Sequence, residues 1–184
     1  MALLDDETLM AQVQSGRVEM LALLFERHHV KLYNFFLRLT QDRSLSEDLV
    51  QETFLRILKY CDSYRREARF TTWMYQVAGN LHLDHLRKRM PLVSLEDVHE
   101  ARLAKAADQG SDMAAQEEQD LLKRAMTMLA PRHREVILLS RFHGMKYAHI
   151  ADIIGCSVPS VKVMVHRSVA ELRRICTELS GGPT

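Results

Sequence analysis

The stretch from Tyr147 to Leu172, YAHIADIIGCSVPSVKVMVHRSVAEL, restricts the fold more than any other part of the chain. Ala151, Gly155 and Val161 have the spacing that lets one short helix cross another through a tight turn, and Ile150, Ile154, Cys156 and Val165 fill the crevice between the two. The pattern predicts a helix-turn-helix. Ser157 supplies an N-cap oxygen for the second helix, and Pro159 falls in its first turn, where a missing amide hydrogen costs nothing. That helix offers Ser160, Lys162, Val163, His166 and Arg167 to solvent or to a DNA groove. A helical hairpin without a ligand would share the same apolar pattern.

The remainder reads as helix too. Glycine is scarce, the four prolines are Pro91, Pro131, Pro159 and Pro183, and apolar residues recur at intervals of three and four, the period of a half-buried helix. No strand is expected, and the fold class is all-α. A first helix starts at Asp5, Asp6 and Glu7, whose carboxylates suit the positive end of a helix, and runs to about Ser15. A longer one places Leu21, Phe25, His28, Leu32, Phe35 and Leu39 on one face. Ser44 and Glu47 have capping-box spacing and open a third, with Leu49, Phe54, Ile57 and Cys61 available for burial. After the polar loop SYRREARFTT, a fourth starts near Thr71 or Thr72 and passes through Trp73, Val77 and Leu81 to Arg89, before Pro91 closes the unit. Trp73 is expected to anchor the core. Further on come a helix from about Gln116 to Leu129, one from Arg132 to His143 ending at Gly144, and the helix-turn-helix pair.

Charge divides the chain into parts. The overall net charge is only +1, but residues 94–120 are strongly acidic and residues 121–184 carry ten basic against four acidic side chains. A basic excess on a short helical segment favours a polyanionic partner, although charge spread on a solvated helix face is a commoner cause. The expected organisation is two small helical domains, 1–93 and 116–184, joined by an acidic linker, 94–115, whose Leu95, Val98 and Leu103 could dock weakly. Cys61, Cys156 and Cys176 have no paired spacing and fall among apolar residues, which points to a reducing compartment. No apolar run approaches the roughly 18 residues of a membrane span, and MALLDDE lacks the basic and apolar regions of a secretory signal. The expected location is the cytoplasm, without membrane insertion.

Three segments, in order, resemble the extracytoplasmic-function group (group 4) of sigma-70 family sigma factors, the small initiation subunits of bacterial RNA polymerase that keep only conserved regions 2 and 4. They are SEDLVQETFLRIL (Ser46–Leu58), FTTWMYQVAGNLHLDHLRKR (Phe70–Arg89) and LAPRHREVILLSRFHGMKYAHIADIIGCSVPSVKVMVHRSVAELR (Leu129–Arg173). The resemblance implies that domain 1–93 is region 2 and that domain 116–184 is region 4. It implies that Asp48, Gln51, Glu52, Leu55 and Arg56 dock on the clamp helices of the polymerase largest subunit, with Leu55 as an apolar anchor in a polar rim; a plain solvated face is the other reading of those residues. It implies that the loop Tyr64, Arg65, Arg66, Arg69 and Phe70, with Asn80, binds the minus-ten element by capturing a flipped base, while Arg87, Lys88 and Arg89 meet phosphates. Asn80 is a polar amide in an apolar stretch and needs a partner. Asp84 is expected to pair with Arg87 or Lys88. Arg87 to Arg89 would also suit the negative end of the helix dipole.

For the minus-thirty-five element, the resemblance implies contacts from Ser157, Ser160, Lys162, Val163, His166 and Arg167. Family members often read GTVKSRLHRA where this chain has PSVKVMVHRS, so Val163 and Met164 replace a Ser-Arg pair. Either a different element is read, with Val163 or Met164 touching a thymine methyl, or this domain binds DNA weakly and relies on polymerase. The implied partners are core RNA polymerase, promoter DNA and an anti-sigma factor, and the free chain is a monomer. No cofactor and no catalysis by the chain itself are expected. His82 and His85 could begin a metal site but lack a third ligand at useful spacing. A stand-alone helix-turn-helix regulator that binds duplex DNA as a dimer without polymerase is the alternative. A third reading is an interaction protein whose exposed Leu55, Val163 and Met164 are covered by an inhibitor.

Overall fold

The first helix, α1 (Asp6–Gln14), is started by Asp5, whose Oδ1 accepts the Thr8 amide at 2.7 Å. Hydrogen bonding from Thr8, its side chain first and then its amide, holds the Asp5 carboxyl below its ordinary range. The computed structural model describes residues 4–89 and 113–181, and the chain separates into two compact units, Met1–Glu100 and Ala101–Thr184. The linker expected over 94–115, with Leu95, Val98 and Leu103, lies outside the described residues except for its last three positions. Those belong to a helix that begins at Met113, ahead of the expected Gln116.

In the N-terminal unit α1 packs on α2 (Met20–Thr40), α2 on α3 (Arg43–Lys59) and α3 on α4 (Phe70–Arg89). Leu24, His28, Leu32, Phe35, Phe36 and Leu39 form the buried side of α2. The last four positions of the expected stripe, His28, Leu32, Phe35 and Leu39, are among them, while Leu21 and Phe25 are only half-buried and Leu24 and Phe36 take the inner positions. Across from it lie Leu49, Val50, Phe54 and Ile57 of α3 and Met74, Tyr75, Ala78 and Leu81 of α4. Edge-to-face ring pairs join the layers, Phe25 with Phe54 at 5.0 Å and Phe35 with Tyr75 at 5.1 Å. Buried His28 is bonded through Nε2 to the Asp6 carboxylate at 2.6 Å, and Arg27 donates to the same group at 2.8 Å.

The start of α3 differs from the capping box expected at Ser44 and Glu47. Asp42 is the cap, accepting the Leu45 amide at 3.0 Å. Gln41 turns the chain through a left-handed conformation (φ 57°) after only one turn residue, so the helix is under way before Ser44. Ser46 instead faces inward, its hydroxyl bonded to the Asp42 carbonyl and to Thr40.

The C-terminal unit consists of α5 (Met113–Met128), α6 (Pro131–Ile137), α7 (Tyr147–Ile154) and α8 (Val158–Leu179). α6 continues into a wider π turn over Leu138–Phe142. Arg134 reaches back to the Thr127 and Leu129 carbonyls, acceptors that the end of α5 leaves without helical partners. His133 Nδ1 meets Glu171 Oε2 at 3.1 Å and ties α6 to α8. α7 and α8 meet at 96°, the steep crossing of a helix-turn-helix. Gly155 makes the turn at φ 74°, a conformation that any side chain would strain. Ser157 Oγ then accepts the Ser160 amide at 3.3 Å and starts α8.

Candidate nucleic-acid interface

The loop between α3 and α4 is held from three sides. Gln14 of α1 donates through Nε2 to the Cys61 and Tyr64 carbonyls, both at 2.9 Å. The Tyr64 hydroxyl donates across the loop to the Ala68 carbonyl at 2.6 Å. Glu7 Oε1, also from α1, accepts the Phe70 amide at 3.0 Å, one of the free donors at the positive end of α4. Between these elements is an open pocket of about 390 Å³ lined by Asp6 and Glu7, by Arg66, Glu67, Ala68 and Arg69, and by Thr71. Arg65, Arg66 and Arg69 are exposed and form no ion pair among the described residues.

Two residues expected to touch DNA here are elsewhere. Tyr64 is 3% exposed and Phe70 is fully buried. Their rings pack on each other and on Trp73, with Tyr64 to Trp73 at 5.2 Å. A loop this polar needs an apolar foot to be held in one conformation, and these two side chains provide it. Burial, with the carboxylates of Glu7, Asp5 and Asp6 nearby, pushes the Tyr64 hydroxyl up to about 12, so it remains a hydrogen-bond donor at any physiological pH. Trp73 is half-buried beside them, partly an anchor as expected. α4 begins at Phe70, ahead of Thr71, because the Glu7 carboxylate caps it there.

Asn80 is exposed. The expectation of a buried amide in need of a partner fails, because Ala78 and Leu81 turn inward and leave Asn80 on the outer face with Arg87 and Lys88. Asp84, the one acidic residue of α4, is flanked by Arg87 Nη1 at 3.2 Å and by Arg56 Nη1 of α3 at 3.0 Å. The Arg87 pairing follows the sequence expectation; the Arg56 contact does not.

On α3, Asp48, Gln51, Glu52 and Leu55 are exposed, and Leu55 at 61% is a bare apolar side chain among polar ones. Arg56 is drawn off this face. Its Nε donates to Glu52 at 3.2 Å and its Nη1 to Asp84, so it is committed within the unit.

On α8, Val161, Val165, Ser168 and Ile175 face the core. Ser160, Lys162, Val163, His166 and Arg167 are all exposed, as expected from the spacing. No acidic residue occurs from 153 to 170, and Lys162, His166 and Arg167 make no ion pair among the described residues. Ser157 is occupied as the cap, its Oγ also 2.8 Å from that of Ser160. Among the described residues no group of three His, Cys, Asp or Glu side chains is placed to hold a metal ion. No single described helix is long and apolar enough to cross a membrane. Cys61, Cys156 and Cys176 are free thiols.

Residues 24–91 match the Sigma-70 region 2 family and residues 119–172 the Sigma-70 region 4 family. The RNA polymerase sigma factor CarQ of Myxococcus xanthus is 31% identical over 173 residues, 92% of this chain and 97% of that one. The chain belongs to the extracytoplasmic-function sigma factors of the sigma-70 family. The ECF RNA polymerase sigma factor SigW of Bacillus subtilis is 25% identical over 177 residues, 91% of this chain and 95% of its own. Among solved structures, the sigma factor RpoE of Bartonella quintana, crystallised with the anti-sigma factor NepR, superposes with a TM-score of 0.66 at 26% identity, covering 88% of this chain and 96% of that one. As a sigma factor, the protein joins core RNA polymerase and directs initiation at promoter DNA. A stand-alone regulator is set aside, since it leaves the region 2 match unexplained.

The region 2 match begins at Leu24, so the α1 of this sigma factor lies outside it. Sequence reading assigned Asp6 and Glu7 only to their own helix end and missed that they reach α2 and α4. No local signal marks such a contact, because Glu7 and Phe70 meet only once the unit has folded.

Proposed function

We propose that this sigma factor docks on core polymerase through Asp48, Gln51 and Glu52 around Leu55, with Arg56 shaping that face from behind. Arg65, Arg66 and Arg69, with Asn80, Arg87 and Lys88, engage the minus-ten element, and a flipped base enters the pocket at the start of α4. Tyr64 and Phe70 hold the loop from beneath. Ser160, Lys162, Val163, His166 and Arg167 meet the minus-thirty-five element, with Ser157 fixing the first turn of α8. The observation that supports this reading is the open pocket of about 390 Å³ at the start of α4, lined in part by Arg66 and Arg69, since extruding a base costs a few kcal/mol that contacts to the base and to phosphates must offset.

An anti-sigma factor holds the protein inactive by covering the exposed apolar groups, Leu55 and Val163 among them, as the complex of the Bartonella relative with NepR supports. The free chain is a cytoplasmic monomer that needs no cofactor, and catalysis stays with the polymerase. The test is reconstituted transcription: the purified chain with sigma-free core polymerase on a pool of promoter fragments, and core alone as control. Initiation at defined starts only when the chain is present is expected. Tight duplex binding without core, and no initiation with it, would overturn the reading.

A further inference from the structure

Val163 is 50% exposed at the centre of the outer face of α8. One turn before it is Ser160, one turn after it are His166 and Arg167, and beside it is Lys162, all exposed. A branched aliphatic in that setting does nothing for the core, whose side of the helix is filled by Val161, Val165 and Ser168. Met164, the other departure from the usual pattern, is half-buried, and its carbonyl accepts the Ser168 hydroxyl at 2.8 Å. Of the two, Val163 is the side chain that a ligand would meet.

We propose that Val163 is a specificity-determining residue that reads the 5-methyl group of a thymine in the minus-thirty-five element. This rests on α8 being the duplex-facing helix. The occupant is fixed by charge and by chemistry. The cations around Val163, with no carboxylate from 153 to 170, suit two phosphate strands flanking a groove. Within the major groove, thymine alone presents a methyl group, while the other bases present donors and acceptors. Valine can satisfy none of those polar edges, so a cytosine opposite it would lose hydration without a replacement bond. Its β-branch leaves one dominant rotamer in a helix, so the two methyls are held in place before DNA arrives.

The test uses the holoenzyme, full chain with core polymerase, on a promoter it initiates from. Each thymine of the minus-thirty-five region, on both strands, is replaced in turn by deoxyuracil, which removes only the methyl. At one or two positions uracil should weaken binding by about fourfold, the equivalent of one buried methyl at roughly 0.8 kcal/mol. Val163→Ala should weaken binding to the thymine promoter and become indifferent to uracil there, while Val163→Thr, which keeps one methyl, retains part of the sensitivity. Alanine on an exposed helix face favours the helix, so loss of folding cannot imitate this result. Normal initiation with no uracil-sensitive position overturns the proposal and leaves Val163 as a surface for a protein partner; so does an undiminished uracil effect in Val163→Ala. A chain that initiates nowhere with core polymerase would instead refute the proposed function on which the inference rests.

Discussion

Replacing Glu7 by Ala tests whether α1 is part of the promoter-opening machinery or only a leading helix. The Glu7 carboxylate accepts the Phe70 amide at 3.0 Å and so acts as an N-cap supplied from a distant helix. Losing a side-chain cap costs about 1 kcal/mol, and losing a negative charge at a helix N-terminus adds about 0.5 kcal/mol at a half-exposed site. Glu7→Ala should therefore destabilise the N-terminal unit by about 1.5 kcal/mol. Glu7→Gln keeps an acceptor without the charge and should cost about 0.5 kcal/mol. The chain has a single tryptophan, Trp73, in the first turn of α4 and packed against Tyr64 and Phe70. Its fluorescence in a urea titration reports that unit without interference from the other. The expected order of midpoints is wild type, then Gln, then Ala. Ala unfolding within about 0.3 kcal/mol of wild type, or Gln falling below Ala, would refute the capping role. In transcription the Ala variant should bind core polymerase as wild type does, because Leu55 and its neighbours lie on another helix, yet open promoters more slowly.

Three further outcomes are expected. Asn80→Ala should leave core binding intact while lowering open-complex formation and relaxing base preference at minus ten, read by permanganate footprinting on promoter variants; unchanged selectivity would remove Asn80 from the site. Arg167→Ala should weaken holoenzyme binding about equally on all sequences and lower the salt slope by roughly one unit, the mark of a phosphate contact, whereas a base-specific loss would assign it to readout. Burial raises the pKa of the Glu135 carboxyl, with Arg132 acting the other way. Its stabilising share is therefore complete below the ordinary carboxylate pKa and is lost as pH rises through the raised one. Glu135→Gln should raise the stability of the C-terminal unit at neutral pH relative to wild type and flatten its dependence above the ordinary carboxylate pKa, followed by circular dichroism; an unaltered pH slope would show that Glu135 does not set it.

Periodicity and turn chemistry carried much of the fold. Gly155, Ser157 and Pro159 placed the helix-turn-helix within a residue of where it stands, because each satisfies a local requirement of backbone or cap. The stripe from His28 to Leu39 was legible for the same reason. What sequence could not reveal were residues whose job is set by a distant partner. Ser44 had the right spacing for a cap, but Asp42 reached the free amides first, since α2 ends so abruptly at Gln41. Tyr64 and Phe70 read as DNA-facing because the family resemblance covers their loop as a whole, and only the packed structure separates its exposed arginines from its buried rings.

The network around Asp84 shows how a helix assigned to promoter DNA tolerates an acidic group. A carboxylate on the outer face of α4, one turn from Asn80, would repel a DNA backbone if left alone. Arg87 on one side and Arg56 on the other bring two guanidinium groups to its oxygens, at 3.2 and 3.0 Å. At this degree of exposure such pairs add at most about 1 kcal/mol each to stability, so fold stability is a weak account of the arrangement. Its electrostatic effect is local: the two guanidinium groups offset the Asp84 charge on α4 where phosphates would pass. Because Arg56 also holds Glu52, the same guanidinium borders the α3 face assigned to polymerase docking and the α4 face assigned to DNA. A residue that reads in sequence as one more docking charge is in the fold a link between two surfaces.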